Sequence, residues 1–230
     1  MIEEFSHPTP DALASALATR FTAELKAAIS ARGSASLVVS GGRTPRRLFE
    51  KLAAAELDWA KVRITLADER LVARNSPDLN ANLVREALLQ DKAAEAQFFP
   101  LWNGTGNARD VAQEALSHFE GPFDVLLLGM GDDGHTASLF PGAPCLERAL
   151  DADNPEPLVF LPETQSRQPR VSLTLSRLLA ARGIFLAFEG PGKRAVYERA
   201  REAGPATELP IRAVLQKAPK IALYWSTATA

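Results

Sequence analysis

Residues 124–142, DVLLLGMGDDGHTASLFPG, carry three glycines (Gly129, Gly131, Gly134) in the Gly-x-Gly-x-x-Gly spacing, directly after an apolar run. That spacing is the dinucleotide-binding fingerprint. The same stretch holds Asp132, Asp133 and His135, so a second chemistry is open. A dinucleotide site needs its third glycine to open a full crossover helix whose N-terminus faces the pyrophosphate. Here Pro141 leaves only a turn or two of helix at HTASLF. Asp132 and Asp133 would also repel the diphosphate. Glu163 lies 29 residues past Gly134 (163 − 134), beyond the usual separation of about twenty. In the alternative, the glycines let the backbone pass close to a small substrate and project Asp133 and His135 towards it. A neutral imidazole is suited to take a proton from water, with Asp133 setting its orientation or charge. A histidine that merely caps the short helix is the competing structural reading.

The elements that must position these residues alternate. Asp11 can cap a first helix in which Leu13, Leu17, Phe21, Leu25 and Ile29 recur every four residues, with Gly33 as its stop. SLVVS (36–40) reads as a strand, followed by GGRTP and a helix over 45–55. VRITLA (62–67) is a strand, Pro77 opens a helix across DLNANLVREALL, FFPL (98–101) is a strand, and ARDVAQEALSHF is a helix. After DVLLLGM come LVFLP (158–162), VSLT (171–174), GIFLAFEG (183–190) and IALYWS (221–226) as strands, with a helix at GPGKRAVYERAREA. This alternation predicts a three-layer α/β fold, a mostly parallel sheet covered on both faces, as one domain over 1–230. Ligands of such sheets bind beyond the carboxyl ends of the strands. SGGRT, DER, GMGDDGH and EGPGK each follow a strand, so four unusual loops are expected at one sheet edge.

Composition bounds the function. Lys plus Arg total 26 against 28 Asp plus Glu, without the basic surplus of a nucleic-acid binder. The single cysteine, Cys145, cannot form an internal disulfide and fits a reducing cytoplasm. The acidic opening MIEEFSHPTP lacks the basic and apolar segments of a signal peptide, and no apolar run is long enough for a membrane span. A cytoplasmic protein with a small-molecule partner is expected, and no oligomeric state is assigned. A metal site drawn from Asp132, Asp133 and His135 is disfavoured, since the other two histidines, His7 and His118, read as terminal and helix-surface residues. No Gly-x-Ser-x-Gly elbow surrounds Ser138.

SGGRTP, LADERLV, LLLGMGDDGHTASLFPG, PRVSLTLSRLLAAR and GPGKRAVYERA, in that order, resemble the 6-phosphogluconolactonases, and the likeness runs over nearly the whole chain. The related glucosamine-6-phosphate deaminases share DGH but typically continue towards AFNEP. The resemblance implies a modified Rossmann-like sheet that binds a sugar phosphate. It also implies hydrolysis of 6-phosphogluconolactone in the oxidative pentose phosphate pathway, with no cofactor and no metal. On that footing, backbone N–H groups of Gly41, Gly42 and Arg43, with the Thr44 hydroxyl, cradle phosphate at a helix N-terminus. Arg70, Arg170 and Lys193 fall at substrate positions as cations for phosphate and carboxylate. Asp68 and Glu69 hold those cations or contact sugar hydroxyls, the competing reading being a local ion pair with Arg70. Arg46 and Arg47 read as solvated. His135 is the expected general base and Asp133 its partner. Two rivals remain: an amino-sugar-phosphate deaminase or isomerase using Asp68 as proton shuttle, and a sugar-phosphate sensor without turnover.

Overall fold

The first strand, β1 (Ile2–His7), has no clear signal in the sequence, because IEEFSH is acidic and half-buried. It is held by parallel pairing with the last strand. The computed structural model describes residues 1–229, and the expected domain end at 230 lies outside them. Helix α1 (Pro10–Arg32) begins at Thr9, not Asp11. Thr9 is extended and its Oγ1 accepts the Ala12 N–H at 3.2 Å, whereas Asp11 lies inside the helix and pairs with Lys51 at 2.7 Å. The predicted stripe is buried at Leu13, Leu17, Phe21 and Leu25. Gly33 ends the helix in the left-handed region, where a side chain would be strained.

Strands and helices then alternate as β2 (Ala35–Val39), α2 (Arg43–Ala53), β3 (Val62–Leu66), β4 (Asp68–Arg70), α3 (Asn80–Ala87), β5 (Gln97–Phe98), α4 (Ala108–Ser117) and β6 (Val125–Leu128). The second half adds α5 (Leu146–Ala149), β7 (Leu158–Leu161), β8 (Arg170–Leu173), α6 (Leu175–Leu179), β9 (Gly183–Glu189), α7 (Gly190–Arg201), α8 (Ile211–Lys217) and β10 (Ile221–Ser226). Seven strands form a parallel sheet in the order β1-β10-β9-β6-β2-β3-β5. Side-chain alternation divides its core in two. Leu37 and Val39 face one side with Val125, Leu127, Phe185 and Ala187, against α1 and α2. Val38 faces the other with Leu126, Leu128, Leu186 and Phe188, against α7 and α8. Each such buried side chain contributes roughly 1.5–3 kcal/mol of transfer free energy. Helix α8 escapes a periodicity reading because Ile211, Arg212, Ala213 and Val214 are all buried, leaving no polar face to mark the period.

The expectation that DER is a loop, and that VSLT and LVFLP are strands of the main sheet, is corrected. They form a separate antiparallel sheet, β4-β8-β7, in which DER is itself a strand. Ala67 joins the two sheets: its N–H donates to Val39 O at 2.8 Å and its carbonyl accepts from Leu173 N at 2.9 Å.

Helix α3 starts at Asn80 rather than Pro77, and Glu69 is the reason. This fully buried carboxylate accepts the N–H groups of Asn80 (2.8 Å) and Ala81 (2.7 Å), so it caps a helix that has no side-chain cap of its own. Its third donor is the Arg70 backbone N–H at 2.7 Å, so at Glu69 a backbone bond stands where the competing reading had an ion pair with the Arg70 side chain, and the expected contact with cations or sugar hydroxyls is not made. Burial pushes the Glu69 carboxyl up to about 7, although the three N–H donors pull the other way. The folded chain therefore holds this proton more tightly than the unfolded chain. The resulting stability is fully present below pH 4.5 and is lost as pH rises to about 7, a change on the order of 3 kcal/mol. Urea denaturation at pH 5 and pH 7.5 checks this: the wild-type change in stability exceeds that of Glu69→Gln. Equal changes in both proteins would remove Glu69 as the source.

Candidate active site

Because β2, β6 and β9 run parallel, their carboxyl ends bring residues 40–45, 129–137 and 189–193 to one edge. A pocket of about 260 Å³ opens there, lined by Gly41, Gly42, Arg43, Thr44, Asp68, Arg70, His135, Arg170 and Lys193 among others. All the expected site residues reach it except Asp133, which lies behind it against His135, and Glu69, which is sealed beneath it. Four lining cations (Arg43, Arg70, Arg170, Lys193) face two lining carboxylates (Asp68, Glu189). The surplus of two positive charges suits a dianion. A larger cleft of about 410 Å³ lies beside α1, but its cations Arg20, Arg32, Arg182 and Lys220 are already paired with Glu24, Asp124 or Glu3.

Two helices start at the pocket. Helix α2 has no side-chain cap, and Pro45 in its first turn has no N–H, so the amides of Arg43 and Thr44 stay open towards a ligand. Gly42 has φ 119°, which only glycine adopts without strain, and a Cβ on Gly41 would overlap the Asn80 amide. Helix α7 begins at Gly190, also without a side-chain cap, and places Lys193 in its first turn. A cation there opposes the helix dipole unless an anion lies between them.

The antiparallel pairing of β4 with β8 sets Arg70 directly across from Arg170. Like charges opposed on a ladder are destabilising. Asp68 offsets this in part, 3.8 Å from the Arg170 Nη1, while its Oδ2 accepts the Ser138 hydroxyl at 2.5 Å. Burial lowers the Arg170 pKa below its ordinary value, countered by Asp68 and reinforced by Arg70. The Nε atoms of both arginines are buried without a partner.

The stretch after Gly134 forms no helix, contrary to expectation. Thr136 Oγ1 donates to Gly129 O at 2.9 Å and Ser138 N–H donates to Ser172 Oγ at 3.2 Å, so side-chain bonds tie it to β6 and β8 in a tight turn. His135 is therefore not a helix cap. Its Nδ1 lies 2.5 Å from Asp133 Oδ1, and its ring packs on Phe140 at 4.4 Å. Burial alone would raise the Asp133 pKa, but the hydrogen bond and charge of His135 and nearby backbone N–H groups hold it below the ordinary value. An ionised carboxylate only accepts, so the ring nitrogen facing it, Nδ1, is the donor, which in a neutral imidazole leaves Nε2 as the acceptor. The glycines have distinct reasons. A Cβ at Gly131 would strike the His135 ring and the Asp133 carboxylate; Gly134 needs φ 75°; Gly129 meets nothing within 4 Å. The fingerprint thus makes room for an imidazole, and Glu163 is exposed on the loop after β7.

Arg47, expected to be solvated, lies 3.7 Å from Glu189 in the pocket wall, while Arg46 meets Glu86 at 3.4 Å. Glu189 directly precedes GPGK, so the sheet-edge rule reaches it; no local pattern marks Asn80, which the pocket also exposes. His118 stacks on Phe99 at 3.9 Å and His7 on Tyr224 at 5.8 Å. Among the described residues, no group of three or more His, Cys, Asp or Glu side chains could hold a metal ion. No helix among them is long and apolar enough to cross a membrane.

Residues 8–225 match the family described as glucosamine-6-phosphate isomerases/6-phosphogluconolactonase. The chain is 45% identical over 221 residues to a 6-phosphogluconolactonase of Rhizobium meliloti, covering 94% of this chain and 95% of that one. A 6-phosphogluconolactonase of Pseudomonas putida is 44% identical, with 95% and 91% covered. Among solved structures, a 6-phosphogluconolactonase from Shewanella baltica superposes with a TM-score of 0.93 at 42% identity, over 99% of this chain and 98% of that one. A monomeric glucosamine-6-phosphate deaminase shares the fold at a TM-score of 0.77 and 17% identity, over 97% of each chain.

Proposed function

Because the chain belongs to the glucosamine-6-phosphate isomerase/6-phosphogluconolactonase family, we propose that it hydrolyses 6-phospho-D-glucono-1,5-lactone to 6-phosphogluconate. The observation that carries this reading is the Asp133–His135 pair, in which Nδ1 meets the carboxylate, beside a pocket that has two surplus positive charges. The open amides of α2, with Thr44 and Lys193, bind the phosphate, and Arg70 and Arg170 share the remaining anionic charge of substrate and product.

His135 Nε2 takes a proton from water as the water oxygen bonds to the lactone carbonyl carbon. Charge collects on the carbonyl oxygen, where preorganised donors lower the barrier. The bond from that carbon to the ring oxygen then breaks, and Nε2–H returns its proton to the ring oxygen. The new carboxylic acid ionises, so one proton is released per turnover. Asp133 keeps the imidazole oriented and stabilises the transient imidazolium. No cofactor enters these steps. We read residues 1–230 as one domain serving this site, in the cytoplasm and in the oxidative pentose phosphate pathway.

Freshly generated lactone tests the proposal. The expected result is hydrolysis well above the spontaneous rate, and no ammonia release from glucosamine 6-phosphate. Asp68 Oδ2 is already occupied by Ser138, which disfavours the proton shuttle that a deaminase requires. Ammonia release without lactone turnover would overturn the reading in favour of the deaminase, and binding of 6-phosphogluconate without turnover in favour of a sensor.

A further inference from the structure

No motif marks Arg167, which lies on the loop between β7 and β8. A tight turn presents it, closed by the Thr164 N–H to Arg167 O at 2.9 Å and the Arg167 N–H to Thr164 O at 3.4 Å. Its Nη2 is 3.6 Å from Asp133 Oδ2, the oxygen that the imidazole leaves free. Its guanidinium covers the Phe140 ring at 4.3 Å, and that ring packs on His135 at 4.4 Å. Arg167, Asp133, His135 and Phe140 thus close a ring of contacts. Arg170 also lies over Phe140, at 5.1 Å, but from β8 and with Asp68 as its carboxylate neighbour.

We propose that Arg167 is a positioning residue that fixes Asp133 through its outer oxygen and so keeps the His135 proton on Nδ1. The physical need is plain. Asp133 has a 42% exposed side chain on a loop, and a carboxylate held at one oxygen can swing away. In water a neutral imidazole favours the proton on Nε2, the wrong atom for a base facing the pocket. Arg167 lines a small neighbouring cavity with Phe140 and Arg170 and is not among the residues lining the main pocket, so its carboxylate contact is with Asp133. A partly exposed ion pair of this kind adds little to stability, about 0–1 kcal/mol, so its removal leaves the fold intact. The effect on rate rests on the lactonase reading; the effect on the imidazole does not.

Two measurements separate these. In ¹⁵N imidazole spectra of the substrate-free enzyme, recorded where His135 is neutral and assigned with His135→Ala, the wild type shows the Nδ1–H form. Arg167→Met shifts the population towards Nε2–H, and Arg167→Lys, which keeps the charge, reverses much of that shift. In lactone hydrolysis, Arg167→Met lowers kcat about tenfold with KM within about twofold. An unchanged tautomer in Arg167→Met overturns the proposal. So does a raised KM with wild-type kcat, which would make Arg167 a substrate contact. If the wild type fails to hydrolyse the lactone, the functional reading falls, and the spectra still decide the role of Arg167.

Discussion

His135→Ala lowers kcat for lactone hydrolysis by about 10²–10⁴-fold, the range for loss of a general base, and leaves KM within a few-fold. The separation follows from geometry. The cations proposed to recognise the substrate come from β4, β8 and the starts of α2 and α7, and none depends on the imidazole. Its removal takes away only the group proposed to accept the water proton and return it. Initial rates on freshly made lactone, corrected for spontaneous opening, check this. His135→Ala with undiminished turnover would move the base elsewhere.

Arg170→Met acts on the opposite parameter, raising KM roughly 10- to 100-fold, as expected for a lost charge-assisted interaction with an anion. The guanidinium side chain is only 17% exposed and stands opposite Arg70. In the empty enzyme the two cations repel, and a bound anion relieves that strain. Adding 6-phosphogluconate should therefore raise the Tm of the wild type more than that of Arg170→Met. Arg170→Lys keeps the charge but loses the fork, and falls between them. An unchanged KM together with an unchanged Tm gain would exclude Arg170 from anion binding.

The glycine turn at residues 41–44 is legible in the sequence because strand, turn and helix are contiguous, which puts the start of α2 at the pocket. The same holds for α1, whose four-residue stripe must bury one face, and for the glycine loop carrying His135. Other features are hidden for identifiable reasons. DER reads as a loop because a three-residue strand has no periodicity, and its strand character exists only through pairing with β8 about a hundred residues later. The start of α3 is displaced because its cap comes from Glu69, eleven residues before Asn80. HTASLF reads as a short helix, yet Thr136 bonds Gly129 across the loop and Ser138 bonds Asp68 far away in the chain, and those bonds outweigh local propensity.

By itself the sequence determined the alternation of strands and helices, the parallel main sheet, and which turns after its strands gather at one edge, since each follows from hydrophobic period and chain continuity. Only the tertiary structure decided that Arg70 faces Arg170, that Arg47 meets Glu189, and that Arg167 reaches Asp133. Those relations depend on strand register and loop return between segments far apart in the chain. A side chain's neighbours across such a distance are set by how the whole core packs, which no local pattern records.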